Sequence, residues 1–264
     1  LNGNVNIANE LKEANISLFE MQPSGQKGAL LGTTTSDQNG NFEIPLSKVH
    51  EGPALLEAKE GKYFNQMSNS FESNEHVFFA AIPKMRYTKN ANINIWTTLA
   101  LHRTLGTVYI SSSLENKIKE STDALSRHLN FPITTAKKCN IFSTNCIKNP
   151  KDLMFSISQV GIHQLAKEQG LNFNNFMTLL ESDISDGMLD GYENGRALFV
   201  NNEPMDSFIL REHFVRAMHL YLKEAVRESG IMPDSYDGVL YNDEKNKIKG
   251  LFNQISTGGE ELLF

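Results

Sequence analysis

Near Trp96 the spacing of apolar residues changes, and that change constrains the fold more than any single motif. Residues 1 to about 96 break into short β-rich runs: "NVNIA", "ANISLFEM", "GALLGTTT", "NFEIPL", "PALLEAKEG", "HVFFAAIP" and "NINIW". Turn-forming stretches such as "PSGQKG", "DQNG", "HEGP" and "YTKNAN" separate them. In "NFEIPL", Phe42, Ile44 and Leu46 alternate with Asn41, Glu43 and Pro45, the period-two mark of a strand buried on one face. Several such strands at even spacing predict an antiparallel sandwich.

Downstream the period becomes helical. "SSLENKIKESTDALSRHLN" places Leu114, Ile118, Leu125 and Leu129 on one face, with Ser112 and Glu115 as a capping box. "NPKDLMFSISQVGIHQLAKEQG" predicts a helix opened by Asn149 and Pro150, favoured by Asp152 at its positive end and stopped at Gly170. "NFNNFMTLLES" predicts a short helix. Residues 206–230 predict the longest, with Phe208, Val215, Met218, Leu222 and Val226 inward and Gly230 as stop. A last helix runs through Ile248, Leu251, Phe252 and Ile255. Strands followed by helices imply an α+β chain of two domains: a β-sandwich over residues 1–96 and a mainly α-helical domain over 97–264. Trp96, the only tryptophan, is expected to be buried where they meet.

The 264 residues are 40% apolar and 21% charged, as in globular proteins. A net charge of −6 with no Lys/Arg run excludes a typical nucleic-acid binder. No apolar stretch has the length of a membrane span. The sequence starts at Leu1 without a signal peptide, which reads as a mature or truncated chain. Cys139 and Cys146 stand in "KKCNIFSTNCIKNP", with six residues between them. A disulfide closes such a loop without strain and suits an exported protein. Two free thiols are the alternative, and a metal pair lacks further ligands nearby.

In "TTTSDQNGNFEIPL", Asn39-Gly40 is a hairpin signal, because the turn needs positive φ. Asp37 can accept from the backbone two residues on. Calcium binding by Asp37, Asn39 and Asn41 fails the EF-hand spacing.

Together with its flanks this stretch resembles the carboxypeptidase regulatory-like, or transthyretin-like, β-sandwich. The resemblance rests on Gly3, Val5, Ala14, Ile16, Leu18, Thr35, Asp37, Asn39, Gly40 and Phe42 and covers the first 60 to 80 residues. A fainter resemblance, through "PALLEAKEGKYFNQ" and "NINIWTTLALHR", is to exported bacterial lipoproteins that join this sandwich to a helical region. Ile95-Trp96 and Glu60 depart from that pattern. The resemblance implies export, a lipid anchor upstream of Leu1 and an extracytoplasmic location in the periplasm, outer membrane or cell surface. It assigns no activity.

"ESDISDGMLDGYENG" is the most suggestive polar stretch. Asp183, Asp186, Asp190 and Glu193 offer oxygen ligands for calcium, yet neither Gly187 nor Gly191 aligns an EF-hand loop. The bland reading is a helix end followed by two Asp-Gly turns. None of the seven histidines falls in a metal or catalytic motif, and no nucleophile elbow, P-loop or dinucleotide fingerprint occurs. Ser111–Ser113 reads as a helix cap. Tyr63, Phe64, Phe71 and Phe78 cluster in a polar-punctuated region, with core packing as one role and an exposed binding patch as the other.

These features point to an exported, surface- or envelope-attached protein with a binding, adhesion or structural role and no catalysis. Its partner would be a protein or glycan of host or envelope. The rival is a carboxylate-dependent hydrolase or carbohydrate-active enzyme using Asp183, Asp186 and Asp190.

Overall fold

The computed structural model describes residues 1–46, 50–65, 67–107, 112–140, 146, 149–205, 213–218, 220 and 221. The chain is mixed α+β. Nine strands come first: β1 (Asn2–Asn6), β2 (Asn15–Met21), β3 (Lys27–Thr35), β4 (Asn41–Glu43), β5 (Ala54–Lys59), β6 (Lys62–Asn65), β7 (Ser70–Ser73), β8 (Phe78–Ile82) and β9 (Ile93–Asn94). Among the described residues the helices α1 (Ile95–Gly106), α2 (Leu114–Leu129), α3 (Pro150–Glu168) and α4 (Phe173–Ile184) follow. Four two-residue strands then form two small hairpins, β10 (Tyr192–Glu193) with β11 (Arg196–Ala197) and β12 (Phe199–Val200) with β13 (Glu203–Pro204).

The main sheet has the order β3-β2-β5-β8, antiparallel throughout. A second sheet has the order β4-β1-β9, and β6 pairs with β7 alone. One pairing departs from the antiparallel expectation: β9 runs parallel to β1. The chain leaves β9 directly into α1, so this strand is the entry to a helix rather than the return arm of a hairpin.

The turn at Asn39-Gly40 forms with the predicted chemistry but does not make a hairpin. Gly40 sits at φ +71°, and Asp37 Oδ1 accepts from the backbone N–H groups of Asn39 and Asn41, each at 2.8 Å. The strands on either side belong to different sheets, because β4 pairs with β1 and β3 with β2. Backbone contacts dictate this choice: Val5 N–H donates to the Gly40 carbonyl at 2.8 Å, and a Cβ on Gly40 would lie 2.6 Å from the Val5 oxygen. Local turn propensity specifies the reversal; the long-range partner decides which strand receives the next segment.

Burial on β5 explains its nearly continuous apolar run. Ala54, Leu56 and Ala58 enter the large core with Ile16, Leu18 and Ile44. Leu55 enters a smaller cluster with Leu101 of α1 and with Leu114 and Ile118 of α2. The sheet is thus covered on both faces at this strand. Glu57 is buried there, its charge matched by Lys27 and by Lys59 at 2.8 Å.

Helix α1 starts at Ile95, where the apolar period changes. Asn94 closes a capping box with Thr97. Trp96 is 1% exposed; its indole N–H donates to Ser158 Oγ of α3 at 2.9 Å, and its ring meets Phe214 edge-on at 5.7 Å. One hydrophobic cluster runs from Val5 through Trp96 to Met218, so residues on both sides of the period change share a core. On α2, Leu114, Ile118, Leu125 and Leu129 are all buried as predicted, but the cap is Ser113, which accepts from Asn116 N–H, one residue after the predicted Ser112. Helix α3 ends before Gly170, whose φ is +67°. Asn149 flanks its start without capping it; its amide donates to Asp152 instead, at 2.6 Å. Of the predicted helix over 206–230, residues 213–218 are helical with Met218 in the core and Val215 packed against it. Phe208, Leu222, Val226, Gly230 and the whole last helix lie outside the described residues, as does Ser111. Cys139 and Cys146 form a disulfide, with Cα atoms 5.4 Å apart.

Candidate functional site

Each aspartate of the acidic loop is occupied by backbone. Asp183 is 0% exposed, and its Oδ1 accepts from the N–H groups of Asp190 (3.1 Å) and Gly191 (2.8 Å). Its Oδ2 is buried without a partner, and desolvation pushes the carboxyl up to about 7. Asp186 accepts from Met188 and Asn194, and Asp190 from Tyr192. Glu193 lies in β10 opposite Arg196. The three aspartates close loops through backbone N–H groups. Among the described residues no group of three or more His, Cys, Asp or Glu is arranged to hold a metal.

The aromatic cluster is divided by the pleat of the β6–β7 hairpin. Tyr63 pairs across with Glu72, and Phe64 with Phe71, so the two pairs face opposite sides. Tyr63 is buried and donates to Glu72 Oε2 at 3.2 Å, and Phe78 is fully buried. Outside remain Phe64, half-buried, and Phe71, 62% exposed, with ring centroids 5.4 Å apart. The Lys12 ammonium lies 5.0 Å from the centroid of Phe71. The four residues therefore do not form one patch.

A larger polar feature appears where β1 meets β9. Asn2, Asn4 and Asn6 alternate along β1, and Asn90, Asn92 and Asn94 alternate along the segment that becomes β9. The parallel register sets Asn2 beside Asn90 and Asn6 beside Asn94. The same offset brings Asn4 beside Asn92, and Asn4 N–H donates to Asn92 Oδ1 at 3.2 Å. Three asparagine rungs result, with successive rungs about 6.6 Å apart, two residues along an extended strand. They floor a cleft of about 990 Å³ whose walls carry Asp37, Asn39 and Asn41 from the turn, Thr34 and Thr35 from β3, and residues 134–138.

The rungs are held in place by their neighbours. The Asn4 amide donates to the Asn39 carbonyl (2.9 Å) and to Asn41 Oδ1 (3.2 Å). Asn94 is spent on the α1 cap and on the Ile133 carbonyl. Asn6, 3% exposed, accepts from Gln159 Nε2 at 2.7 Å, while its own Nδ2 is a buried donor without a partner. Asn2 and Asn90 are exposed at the open end. Chemically the floor offers amide groups that donate and accept at once. The signal in the sequence was the period-two recurrence of asparagine in "NGNVN" and "NANIN"; pairing of these two segments was not predicted.

A second constellation was also missed. His76, on the loop after β7, approaches Glu181 Oε1 of α4 at 2.7 Å, and His102 of α1 approaches Oε2 at 3.6 Å. Burial pushes His102 below the ordinary imidazole range. The group ties the strand region to two helices across 105 residues, and no spacing motif announces it.

No family model, curated protein or solved structure matches this chain.

Proposed function

We propose that the protein is an exported, surface- or envelope-attached binding protein, and that the asparagine-floored cleft grips an extended polypeptide segment of a protein partner. The observation that carries this is the rung spacing. An extended chain repeats every two residues, about 6.6 Å, so its peptide groups meet successive rungs in the same phase. Asn2 and Asn90, exposed at the open end, can each donate to a peptide carbonyl and accept from a peptide N–H, and the deeper rungs hold them in register. Recognition of main chain needs no catalytic group, and Asp183, first suspect of a hydrolase reading, is sealed from solvent. The disulfide supports export. Two sheets sharing one core support the transthyretin-like sandwich over residues 1–96, joined to a helical domain over 97–264.

The test is calorimetric titration with an extended peptide of alternating threonine and serine, and with the same peptide N-methylated at every second residue. The parent peptide is expected to bind, N-methylation to weaken it at least tenfold, and Asn2→Ala with Asn90→Ala to do the same without lowering Tm. Equal binding of the N-methylated peptide, or retention of neutral tetrasaccharides instead of peptides, overturns the proposal.

A further inference from the structure

A second cleft, of about 590 Å³, lies between the β6–β7 hairpin and helices α3 and α4. Glu72 stands in its wall as a prepared anion. Its Oε2 accepts from Tyr63 Oη (3.2 Å) and Asn65 Nδ2 (2.8 Å), and its Oε1 from Ser68 Oγ (2.6 Å). Burial pushes the carboxyl up, but these hydrogen bonds outweigh it and hold Glu72 below the ordinary carboxylate range. Among the described residues no lysine or arginine pairs with it, so its charge faces the cleft unmatched. A carboxylate has about four lone-pair sites, and three are used.

His163 supplies a second acceptor. It is 5% exposed, and its Nε2 meets the Ile7 carbonyl at 2.8 Å, which assigns the ring proton to Nε2. The ring stacks on Phe173 with centroids 3.7 Å apart and planes 10° from parallel. Nδ1 is therefore a lone pair on a fixed ring, without a hydrogen-bond partner among the described residues. Desolvation depresses the imidazole to about 4, so the ring is neutral at pH 7. Glu75 adds a second carboxylate to the lining, and Lys167 is exposed and directed to the Met67 carbonyl at 3.4 Å.

Two carboxylates and a neutral imidazole acceptor ask for N–H donors and positive charge. We propose that this cleft is a binding site for an organic primary ammonium group, ion-paired to Glu72 and donating to His163 Nδ1. An alcohol satisfies Nδ1 but leaves Glu72 uncompensated, and an anion is repelled. A primary ammonium has three donors, enough for both acceptors with one left for Glu75 or water.

The experiment is an NMR titration of the full chain at pH 7 with n-butylammonium, n-butanol and n-butyrate, following the His163 ring nitrogens and backbone amides. Butylammonium is expected to give saturable shifts at residues 63–75 and 163–174 and to move the His163 Nδ1 resonance upfield, as accepting a hydrogen bond does. Glu72→Gln is expected to weaken binding at least tenfold, while Asn2→Ala with Asn90→Ala leaves it unchanged. Butanol binding as tightly as butylammonium, unchanged affinity in Glu72→Gln, or no saturable shift overturns the proposal. If Glu72→Gln does not fold, the butylammonium–butanol contrast on the wild-type chain decides, with Glu75→Gln expected to weaken binding more modestly.

Discussion

Asp37, in the turn between β3 and β4, and Asp183, near the end of α4, each close a loop by accepting two backbone N–H groups. The distances are nearly the same: 2.8 and 2.8 Å at Asp37, 3.1 and 2.8 Å at Asp183. Their acidities move in opposite directions. Asp37 lies exposed in the wall of the asparagine cleft, and the hydrogen bond from Asn41 leads in holding its carboxyl below the ordinary range. Asp183 is sealed, and desolvation overrides the same kind of hydrogen bonding to raise it to about 7. Hydrogen bonds set the geometry of both loops, and solvation sets their charge. Only the first is placed to meet a ligand.

The largest consequence is in the pH dependence of stability. Folded Asp183 keeps a proton that the unfolded chain releases between its ordinary 3.8 and about 7. Its contribution is therefore intact at low pH, is lost as pH rises through that window, and amounts to at most ~4 kcal/mol. Asp183→Asn keeps the Oδ1 acceptor and removes the charge. It should raise stability above wild type in urea melts at pH 8 and have little effect at pH 4. Asp37→Asn should do the reverse, lowering stability slightly at pH 8. If both substitutions act with the same sign at pH 8, the contrast between the two loops is broken.

His163 provides the opposing slope. Its folded value of about 4 lies below the ordinary 6.5, so protonation favours the unfolded chain. Stability is full above about pH 6.5 and falls toward pH 4, by up to ~3 kcal/mol. In wild type this partly cancels the Asp183 slope between those values. In Asp183→Asn the His163 slope, joined by one of the same sign from His102, should no longer be opposed by Asp183, seen as unfolding midpoints that decline steadily on acidification. Midpoints that stay flat from pH 7 to pH 4 in that variant would contradict the burial of a neutral His163.

Truncation gives a smaller separation. At pH 5, Asp183→Ala strands two N–H groups inside the protein and should cost about 2–3 kcal/mol, whereas water replaces the Asp37 carboxylate and Asp37→Ala should cost under ~1 kcal/mol. Smallest of all is calcium. With every loop aspartate bound to backbone, millimolar calcium should not shift Tm. A rise abolished by Asp186→Ala with Asp190→Ala would restore the calcium reading through mass action.

The same two residues show what was legible beforehand. Asp37 finds its partners two and four residues on, within reach of turn chemistry, and that turn was readable from "SDQNGN". Asp183 binds seven and eight residues on, after a helix end whose path depends on packing, so its carboxyl read equally well as a calcium ligand. Helices with one apolar stripe, such as α2, were readable because 3.6-residue periodicity is local. Partners of strands were not: the hairpin expected at Asn39-Gly40 became a passage between sheets, and β9 pairs in parallel with a strand 88 residues away. The asparagine cleft assembles from four separated segments, and Glu181 gathers two histidines from elements far apart in the chain. Such sites exist only once the core centred on Trp96 has brought the segments together. Intact mass after alkylation, with and without reductant, checks the one covalent tie, and blocked thiols at both Cys139 and Cys146 in the unreduced protein would remove that support for export.

The most direct test of the binding role follows backbone amides of both loops in one NMR experiment. The alternating threonine–serine peptide is titrated into labelled protein, and Asn39 and Asn41 are compared with Asp190 and Gly191. Saturable shifts at Asn39, Asn41 and the Asn4 side-chain amide, with Asp190 and Gly191 unmoved, are the predicted result. Shifts confined to Asp190 and Gly191, or none at either loop, would contradict it.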